Sequence, residues 1–343
     1  MSRHINIPIF VPHLGCPNQC TFCNQCSISG KSRFSLDEME KTIEDSLSTA
    51  SKDDEVEIAF FGGSFTGIEE NLMTEILELA YRYKKSGRVA SMRCSTRPDY
   101  VTPHILDVLE RYGVKTVELG IQSMSDEVLL ACRRGHTAED SRRAASLLVS
   151  RGFSFVGQMM VGLPMSNPEN ERTTAREIVA LGAVGARVYP TVVFRKTELC
   201  EQAEQGIYVP LSLSEAVSRS ADLVEIFRDH GVKLLRVGLQ ATETLSDPEE
   251  IFGGPLHSAI GELVESEIYK RKIVSLLKNE TFSPELRIFV AKGCVSAAVG
   301  QHQSNKTYLC EAFGFSRVTV VENEALRKGE IMIKTEERKW VCT

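Results

Sequence analysis

In the run Gly15-Cys16-Pro17-Asn18-Gln19-Cys20-Thr21-Phe22-Cys23, three cysteines are spaced C-x3-C-x2-C. Thiolates at this spacing in one loop can hold three irons of a cubane cluster and leave the fourth iron open to an external ligand. A further cysteine, Cys26, leaves a second interpretation open, because four thiolates also complete a tetrahedral zinc site. The run by itself favours the open cluster over the closed zinc site.

The composition is that of an ordinary globular protein. Apolar residues make up 42% of the 343 positions and charged residues 25%. No stretch of about 18 apolar residues predicts a membrane span. The net charge of −6 argues against extensive coating of nucleic acid, although it leaves room for a local basic groove. Ten cysteines without a signal-peptide pattern indicate a reducing compartment, so we expect a cytoplasmic protein that does not enter a membrane.

Short apolar runs alternate with longer amphipathic stretches over residues 1–240, a pattern typical of βα units around a parallel sheet. Seven strands are predicted, at residues 5–12, 57–61, 90–95, 116–120, 155–161, 186–189 and 233–237. Six helices are predicted between them, at residues 36–49, 71–83, 103–112, 138–150, 169–181 and 213–230. We expect an α/β fold of six to seven parallel repeats, closed into a full (β/α) barrel or left as a partial one, with its chemistry at the carboxyl ends of the strands.

The alternation lapses after residue 240, which predicts a separate C-terminal part. A polar connection rich in proline and glycine comes first, and a helix over residues 256–279 follows it. The remaining residues predict a strand at 286–291, a helix at 295–313 that is interrupted by a polar loop, a strand at 318–321 and a tail. The expected organisation is therefore a (β/α) barrel at 1–240, a connecting and helical extension at 241–281, and a small α+β domain at 282–343.

A second motif follows one βα unit after the cysteines. The run Phe60-Phe61-Gly62-Gly63-Ser64-Phe65 ends a predicted strand, and its two glycines let the backbone approach a ligand closely. Together the two motifs resemble the radical S-adenosylmethionine (SAM) superfamily. In that superfamily the glycine stretch faces the methionine amino group of SAM, while this amine and the carboxylate chelate the open iron.

Further motifs occur in the same order as in the radical domain of the Elongator catalytic subunit family, which modifies the wobble uridine of tRNA. They are Ser95-Thr96-Arg97-Pro98-Asp99, Glu118-Leu119-Gly120-Ile121-Gln122-Ser123, Arg133-Arg134-Gly135-His136-Thr137, Gln158-Met159-Met160-Val161-Gly162-Leu163-Pro164 and Arg187-Val188-Tyr189-Pro190-Thr191. The resemblance spans residues 5–265, and the series in order is highly specific. The oxygen-independent coproporphyrinogen III oxidases are similar, but more distantly.

The resemblance implies roles for individual residues. The residues matching the ligands of a [4Fe–4S] cluster are Cys16, Cys20 and Cys23. The residues matching positions around SAM are Phe10, Phe22, Gly62, Gly63, Ser64, Ser95, Gln122, Arg134 and Gln158. Arg134 is the natural partner of a carboxylate, because its planar guanidinium binds one through two hydrogen bonds. Ser95 and Gln158 stand where the porphyrinogen oxidases have a glutamate and an aspartate.

The activity implied by the resemblance is radical chemistry. An external one-electron reductant of the flavodoxin or ferredoxin type reduces the cluster, SAM is cleaved, and a 5′-deoxyadenosyl radical takes a hydrogen atom from the substrate. The protein supplies binding, orientation and exclusion of water. The first implied substrate is tRNA. A small molecule that is oxidised or functionalised at a C–H bond is the second interpretation, and a non-catalytic iron–sulfur or zinc protein is the third.

The resemblance ends before the C-terminal part. Residues 266–343 are too few for the acetyltransferase domain of the Elongator family, so we expect that domain to be absent. Residues 295–306 instead resemble the helix–loop–helix of a KH domain, which clamps single-stranded nucleic acid with a G-x-x-G loop. Gln303 replaces the second glycine of that loop, and we expect this part to cap the barrel rather than to bind RNA.

Overall fold

The computed structural model describes residues 3–11, 16, 20–24, 34–239, 248–277, 284–334 and 339–342. The chain forms two compact units, Met1–Ser212 with Ile226–Leu256 and Leu213–Glu225 with His257–Thr343. The domain limits expected at residues 240 and 281 remain predictions. Among the described helices, none combines the length and the apolar character needed to cross a membrane.

The first unit is built on a sheet of seven parallel strands. These are β1 (His4–Val11), β2 (Glu55–Gly62), β3 (Ser91–Thr96), β4 (Val114–Gln122), β5 (Ser154–Val161), β6 (Gly185–Pro190) and, after the short β7 (Val193–Phe194), β8 (Lys233–Val237). Their order in the sheet is β1-β2-β3-β4-β5-β6-β8, with every neighbouring pair parallel. The predicted α/β repeats are confirmed, and they form a half-barrel whose edge strands are β1 and β8. A short strand, β9 (Ile251–Gly253), pairs antiparallel with β7.

Helices connect the strands, as the amphipathic stretches predict. Their bounds are α1 (Leu36–Ser48), α2 (Glu70–Lys85), α3 (Pro103–Arg111), α4 (Asp126–Ala131), α5 (Ala138–Ser150), α6 (Pro168–Ala180), α7 (Glu198–Glu204) and α8 (Leu213–Asp229). The two shortest, α4 and α7, were not predicted, because six and seven residues are too few to show a helical period. Short 3-10 turns follow β2 at Phe65–Gly67 and β3 at Pro98–Tyr100.

The two faces of the sheet differ in chemistry, because successive side chains of a strand point to opposite sides. One face holds fully buried apolar side chains, among them Phe60, Met92 and Phe155. Gly157 lies on this face, where a Cβ atom would come within 2.5 Å of the Ile178 side chain on α6. This apolar face therefore packs against the helices, and the polar side chains of the strands collect on the other face.

The second unit is a small α+β structure, as expected. Beyond its part of α8 it contains α9 (Ile260–Leu277), β10 (Glu285–Val290), α10 (Val295–Val299), α11 (Ser304–Phe313), β11 (Arg317–Glu322), β12 (Ile331–Lys334) and β13 (Lys339–Cys342). The strands form one sheet in the order β11-β10-β12-β13. The helix–loop–helix expected at residues 295–306 corresponds to α10 and α11, whereas β12 and β13 were not predicted.

Gly62 determines how closely β1 and β2 approach at their carboxyl ends. It is the register partner of Val11, and its φ of +128° lies in a region that L side chains rarely adopt. A Cβ atom at this position would lie 1.9 Å from the Val11 carbonyl oxygen, which belongs to the backbone. Only glycine fits here without moving one strand away from the other.

We predict that Gly62→Ala lowers the free energy of unfolding by at least about 3 kcal/mol, because backbone strain and a backbone clash add. Gly87→Ala is the matched control, since Gly87 also has a positive φ but a Cβ atom added there would meet nothing within 4 Å. We expect that control to lose only about 1 kcal/mol. Urea unfolding of both variants measures the difference, and equal losses would contradict the close approach.

Candidate active site

The three predicted cluster cysteines follow β1, and the structure describes all of them. Cys20 is buried, while Cys16 and Cys23 are half-buried. The Cys23 N–H donates to the Cys20 carbonyl at 3.0 Å, so the last two cysteines are joined by a tight turn. Cys26 lies outside the described residues. Within the described part of the chain, no three His, Cys, Asp or Glu side chains are grouped to hold a single metal ion.

Two short helices hold the cysteine run at one residue, Thr21. The Thr21 N–H donates to the carbonyl of Cys132, directly after α4, at 3.1 Å. The Thr21 carbonyl accepts from the Leu199 N–H, in the first turn of α7, at 2.8 Å. Cys132 itself is buried, and burial together with the charge of Cys20 raises the pKa of its thiol to about 12. The segments that sequence patterns missed therefore position the predicted metal ligands.

The aromatic residues predicted near SAM have different surroundings. Phe22 packs against two apolar clusters, one around Val128 and Leu163 and the other around Leu199. Phe10, near the end of β1, places its ring centroid 6.1 Å from that of Phe61 on β2. Phe22 thus anchors the cysteine run, whereas Phe10 and Phe61 form an aromatic pair at the ends of neighbouring strands.

Two buried arginines direct N–H groups at two of the three cysteine sulfurs. Arg134 Nη1 lies 3.4 Å from Cys20 Sγ, and Arg97 Nη1 lies 3.8 Å from Cys16 Sγ. Arg134 is 8% exposed and Arg97 is 2% exposed, so little water competes for these contacts. Cationic N–H donors favour the thiolate form of a sulfur, which is the form that binds metal. Both predicted ligands are therefore placed beside a positive charge.

The end of β2 is joined to the end of β3 by buried hydroxyl groups. Ser64 Oγ lies 2.8 Å from Thr96 Oγ1, which in turn lies 2.6 Å from Thr66 Oγ1. Ser64 Oγ also accepts a hydrogen bond from the Arg97 backbone N–H at 3.1 Å. Gly63 precedes this network and is half-buried. The glycine pair is therefore fixed at both sides, by Val11 before it and by the hydroxyl groups after it.

At the end of β4 the backbone bends to accommodate Arg134. Gln122 has a φ of +66°, and the register with β5 shifts between Gly120 and Gln122. Arg134 Nη2 donates to the Gly120 carbonyl at 2.8 Å, and a Cβ atom at Gly120 would lie 2.7 Å from the same nitrogen. The buried Arg134 Nε has no hydrogen-bond acceptor within the described part of the chain. Gln122 and Arg134 thus meet at one strand end, and the guanidinium retains one donor for a ligand.

A chain of charged groups crosses the polar face of the sheet. The fully buried Glu118 accepts hydrogen bonds from Arg93 at 3.1 Å, from Arg187 at 2.8 and 3.1 Å, and from Gln158 Nε2 at 2.8 Å. Arg93 also contacts Glu57 on β2. Burial opposes the charge of Arg187, but Tyr189 and Glu118 raise its pKa overall. Each of these charges is therefore compensated by an opposite charge one or two strands away.

Gln158 and Ser95 are brought together by this chain of charges. Gln158 Nε2 lies 3.4 Å from Ser95 Oγ as well as 2.8 Å from Glu118 Oε2. Because an ionised carboxylate only accepts hydrogen bonds, the amide nitrogen must face Glu118 and the amide oxygen must face away from it. Gln158 therefore offers an acceptor on the polar face.

Several residues of the site were missed by sequence reasoning. Thr96, Arg97 and Glu118 each contact a predicted site residue, and Arg187 contacts Glu118. Glu118 and Arg187 leave a signal in the sequence, since each is a charged residue between apolar neighbours on a predicted strand. Such a residue must face a polar interior or break the strand pattern. The contacts of Thr96 and Arg97 leave no such signal, because they depend on a loop between distant elements.

Comparisons with known proteins identify the family of the chain. Residues 10–178 match the sequence profile of the Radical SAM superfamily, and residues 183–270 match the profile of the Radical SAM C-terminal domain. The two profiles cover the end of β1, the strands from β2 to β9 and most of α9. The predicted family resemblance is thereby confirmed.

Individual relatives point the same way. The chain is 28% identical over 184 residues to a tRNA uridine(34) acetyltransferase of Methanocaldococcus infernus, covering 48% of this chain and 34% of that protein. It is 29% identical over 194 residues to Elongator complex protein 3 of Schizosaccharomyces pombe, covering 50% and 36%. The solved structure of archaeal Elp3 of M. infernus with an N-terminal deletion superimposes with a TM-score of 0.63 at 22% identity, covering 79% and 64%. The matches thus span about a third of the two curated relatives, and the structural likeness concerns the fold.

His136 lies beside the site as a buried, neutral imidazole. Its Nε2–H donates to the Ile121 carbonyl at 3.3 Å, and its Nδ1 finds no partner among the described residues. Burial and the positive charge of Arg134 lower its pKa from 6.5 to about 4. The folded chain therefore resists a proton that the unfolded chain accepts.

We predict that the lowered pKa of His136 reduces the free energy of unfolding as the pH falls from 6.5 towards 4. The reason is that the imidazole binds a proton in the unfolded chain at a higher pH than in the folded chain. At pH 5 the loss is about 2 kcal/mol relative to pH 7. Urea unfolding at both pH values should show a smaller loss for His136→Gln than for the unmodified chain. His104→Gln, at an exposed histidine, is the control. Equal pH dependence in the His136→Gln variant and the unmodified chain would refute the prediction.

Proposed function

Because the chain belongs to the radical SAM superfamily of enzymes, we propose that Cys16, Cys20 and Cys23 ligate a [4Fe–4S] cluster whose fourth iron binds SAM. On receiving one electron from a flavodoxin- or ferredoxin-type reductant, such a centre cleaves SAM and supplies a 5′-deoxyadenosyl radical for hydrogen abstraction. The observation that carries the proposal is the pair of buried arginines aimed at Cys16 and Cys20.

The residues of the site fit a cluster on electrostatic grounds. Thiolates and the cluster they hold are negative, and burying negative charge is costly unless cations or N–H donors compensate it. Arg97 and Arg134 supply both at two separate sulfurs. Apolar packing of Phe22 and the turn at Cys20–Cys23 keep the run in place. The protein therefore offers a compensated, partly dehydrated setting for the three thiolates.

The neighbouring strand ends fit the methionine part of SAM. We assign Gly62, Gly63 and Ser64 to the amine, because no side chain fits at Gly62 and a glycine at 63 leaves the backbone open to a ligand. We assign Arg134 to the carboxylate, since its Nε is a buried donor without a protein acceptor among the described residues. Gln122 lies beside Arg134 at the same strand end. These groups come from β2, β4 and the loop after α4, so one ligand held by all of them is fixed in orientation.

The polar face of the sheet fits the nucleoside part of SAM. Gln158 presents its amide oxygen away from Glu118, and an amide oxygen accepts a hydrogen bond from a ribose hydroxyl as a carboxylate does. Ser95 lies next to it as a second polar group. Phe10, paired with Phe61, offers an aromatic surface at the ends of β1 and β2. The glutamine thus replaces the acceptor function of an aspartate without adding a charge.

We propose tRNA as the substrate. Support comes from the matched relatives, whose names are tRNA uridine(34) acetyltransferase and Elongator complex protein 3. The region that matches the Radical SAM profile, residues 10–178, carries the cysteine run and the glycine pair. We propose only the radical half of an Elongator-like reaction in the cytoplasm, since the chain spans about a third of those relatives.

Anaerobic reconstitution with iron and sulfide tests the cluster and its open site. We expect about four irons per chain, a change in the spectrum of the reduced cluster on adding SAM, and release of 5′-deoxyadenosine. Cys16→Ala, Cys20→Ala and Cys23→Ala should lose the cluster, whereas Cys310→Ala, in the second unit, should keep it. Cys26→Ala should keep it too, and loss of iron in that variant would overturn the open-site proposal. One zinc per chain without any effect of SAM would favour a non-catalytic protein.

Binding of tRNA by the reconstituted chain tests the substrate. If the substrate is tRNA, the affinity for unmodified tRNA should fall steeply between about 50 and 200 mM salt, because phosphate contacts release counterions. Duplex DNA of equal length is the control and should bind more weakly at every salt concentration. Release of 5′-deoxyadenosine that tRNA does not stimulate, together with no tRNA binding at low salt, would instead favour a small-molecule substrate.

A further inference from the structure

Arg97 stands at the junction of two motifs. Its side chain is only 3% exposed, and Asp99 accepts from its Nε at 2.9 Å and from its Nη2 at 2.8 Å. Its third nitrogen, Nη1, lies 3.8 Å from Cys16 Sγ. The guanidinium carbon also lies 5.6 Å from the centre of the Tyr100 ring. The carboxylate and the ring hold the plane of the guanidinium group, so that Nη1 is directed at the sulfur.

The main chain of the same residue contacts the glycine motif. The Arg97 N–H donates to Ser64 Oγ at 3.1 Å, and this hydroxyl is fixed by Thr96 at 2.8 Å. Arg97 therefore contacts Ser64, directly after the glycine pair, through its backbone, and it contacts Cys16 through its side chain. Moving Arg97 would change the distance between the two motifs.

Arg97 and Arg134 differ in their charge balance. Arg134 contacts Cys20 and a backbone carbonyl, and the described residues place no carboxylate on it. Arg97 is paired with Asp99, whose side chain is 27% exposed. An arginine guanidinium stays protonated in proteins, and here two of its nitrogens donate to the Asp99 carboxylate. Arg97 is thus a permanent cation, and the negative charge of Asp99 reduces the positive potential that Arg97 produces at Cys16.

We propose that Arg97 is a positioning residue that orients Cys16 as a cluster ligand and, with Asp99 as its counterion, sets the reduction potential of the cluster. The inference rests on the proposed function, since it requires Cys16 to ligate the cluster. Reduction adds one negative charge to the cluster, and hydrogen bonds to the sulfurs and nearby cations stabilise that charge. Removing the cation and removing its counterion must therefore shift the potential in opposite directions.

The test is a redox titration of the reconstituted full-length chain, followed by the electron paramagnetic resonance of the reduced cluster. We expect Arg97→Gln to lower the potential, so that at a fixed poise the ratio of reduced to oxidised cluster falls about tenfold, equivalent to about 59 mV for one electron. We expect Asp99→Asn to raise the potential. Arg97→Lys keeps the positive charge but loses the planar guanidinium group that is aimed at Cys16. We therefore expect its potential to lie between those of Arg97→Gln and the unmodified chain.

Iron retention gives a second measurement that does not depend on activity. Loss of iron to a chelator should be faster for Arg97→Gln than for Arg88→Gln, the control, because Arg88 pairs with Glu44 on the surface. If Arg97→Gln does not fold or does not assemble a cluster, the direction of the Asp99→Asn shift decides the question.

The outcomes separate this inference from the proposed function. An unmodified chain that takes up no iron–sulfur cluster overturns the proposed function, and the inference with it. An unmodified chain that assembles the cluster and cleaves SAM supports the function. Unchanged potentials and unchanged iron loss in Arg97→Gln, or a potential in Asp99→Asn that is unchanged or lowered, would then overturn the role of Arg97 alone.

Discussion

The approach of β1 to β2 at their carboxyl ends is the constraint on which the site depends. Val11 and Gly62 are partners in the sheet, and the distance between their backbones leaves no room for a side chain at position 62. The cysteine run leaves the sheet after Val11, and Gly63 and Ser64 leave it after Gly62. The cysteine run and the glycine pair therefore start from adjacent points at the edge of the sheet. In the proposed function, these two motifs bind the same cofactor.

The polar face of the sheet extends this order across four more strands. A buried carboxylate such as Glu118 is stable only if its oxygens accept hydrogen bonds from cations or amides, and Arg93, Arg187 and Gln158 provide them. This arrangement fixes the Gln158 amide in one orientation before any ligand binds. Groups that are already oriented lose less freedom on binding, so the charge network contributes to affinity without touching the ligand.

The sequence predicted the parts of the fold that repeat. All seven parallel strands follow from apolar runs that alternate with amphipathic stretches, and β8 was placed at its observed bounds. The helices α4 and α7 were missed because they are shorter than two helical turns. β12 and β13 were missed because the tail shows too few alternating residues to predict strands. Pairing partners such as β10 with β12 also depend on contacts that no local pattern contains.

The site was predicted where spacing carries the chemistry. The cysteines, the glycine pair and Arg134 follow from short motifs, and their neighbourhood in space follows from the parallel sheet. The contacts of Arg97 with Cys16 and of Arg134 with Cys20 were not predicted, because they join residues that are far apart in the chain. The orientation of Gln158 was also beyond the sequence, since it depends on which neighbour accepts its hydrogen bonds.

The protonated state of Cys132 has a consequence for the protein before a cluster is built. Its thiol is buried close enough to Cys20 for the charge of Cys20 to raise its pKa, and at neutral pH it stays in the thiol form. Disulfide exchange requires a thiolate as the attacking group. Burial therefore disfavours the thiolate that Cys132 would need to bind metal or to attack Cys20, so this neighbour competes poorly with the cysteine loop for metal.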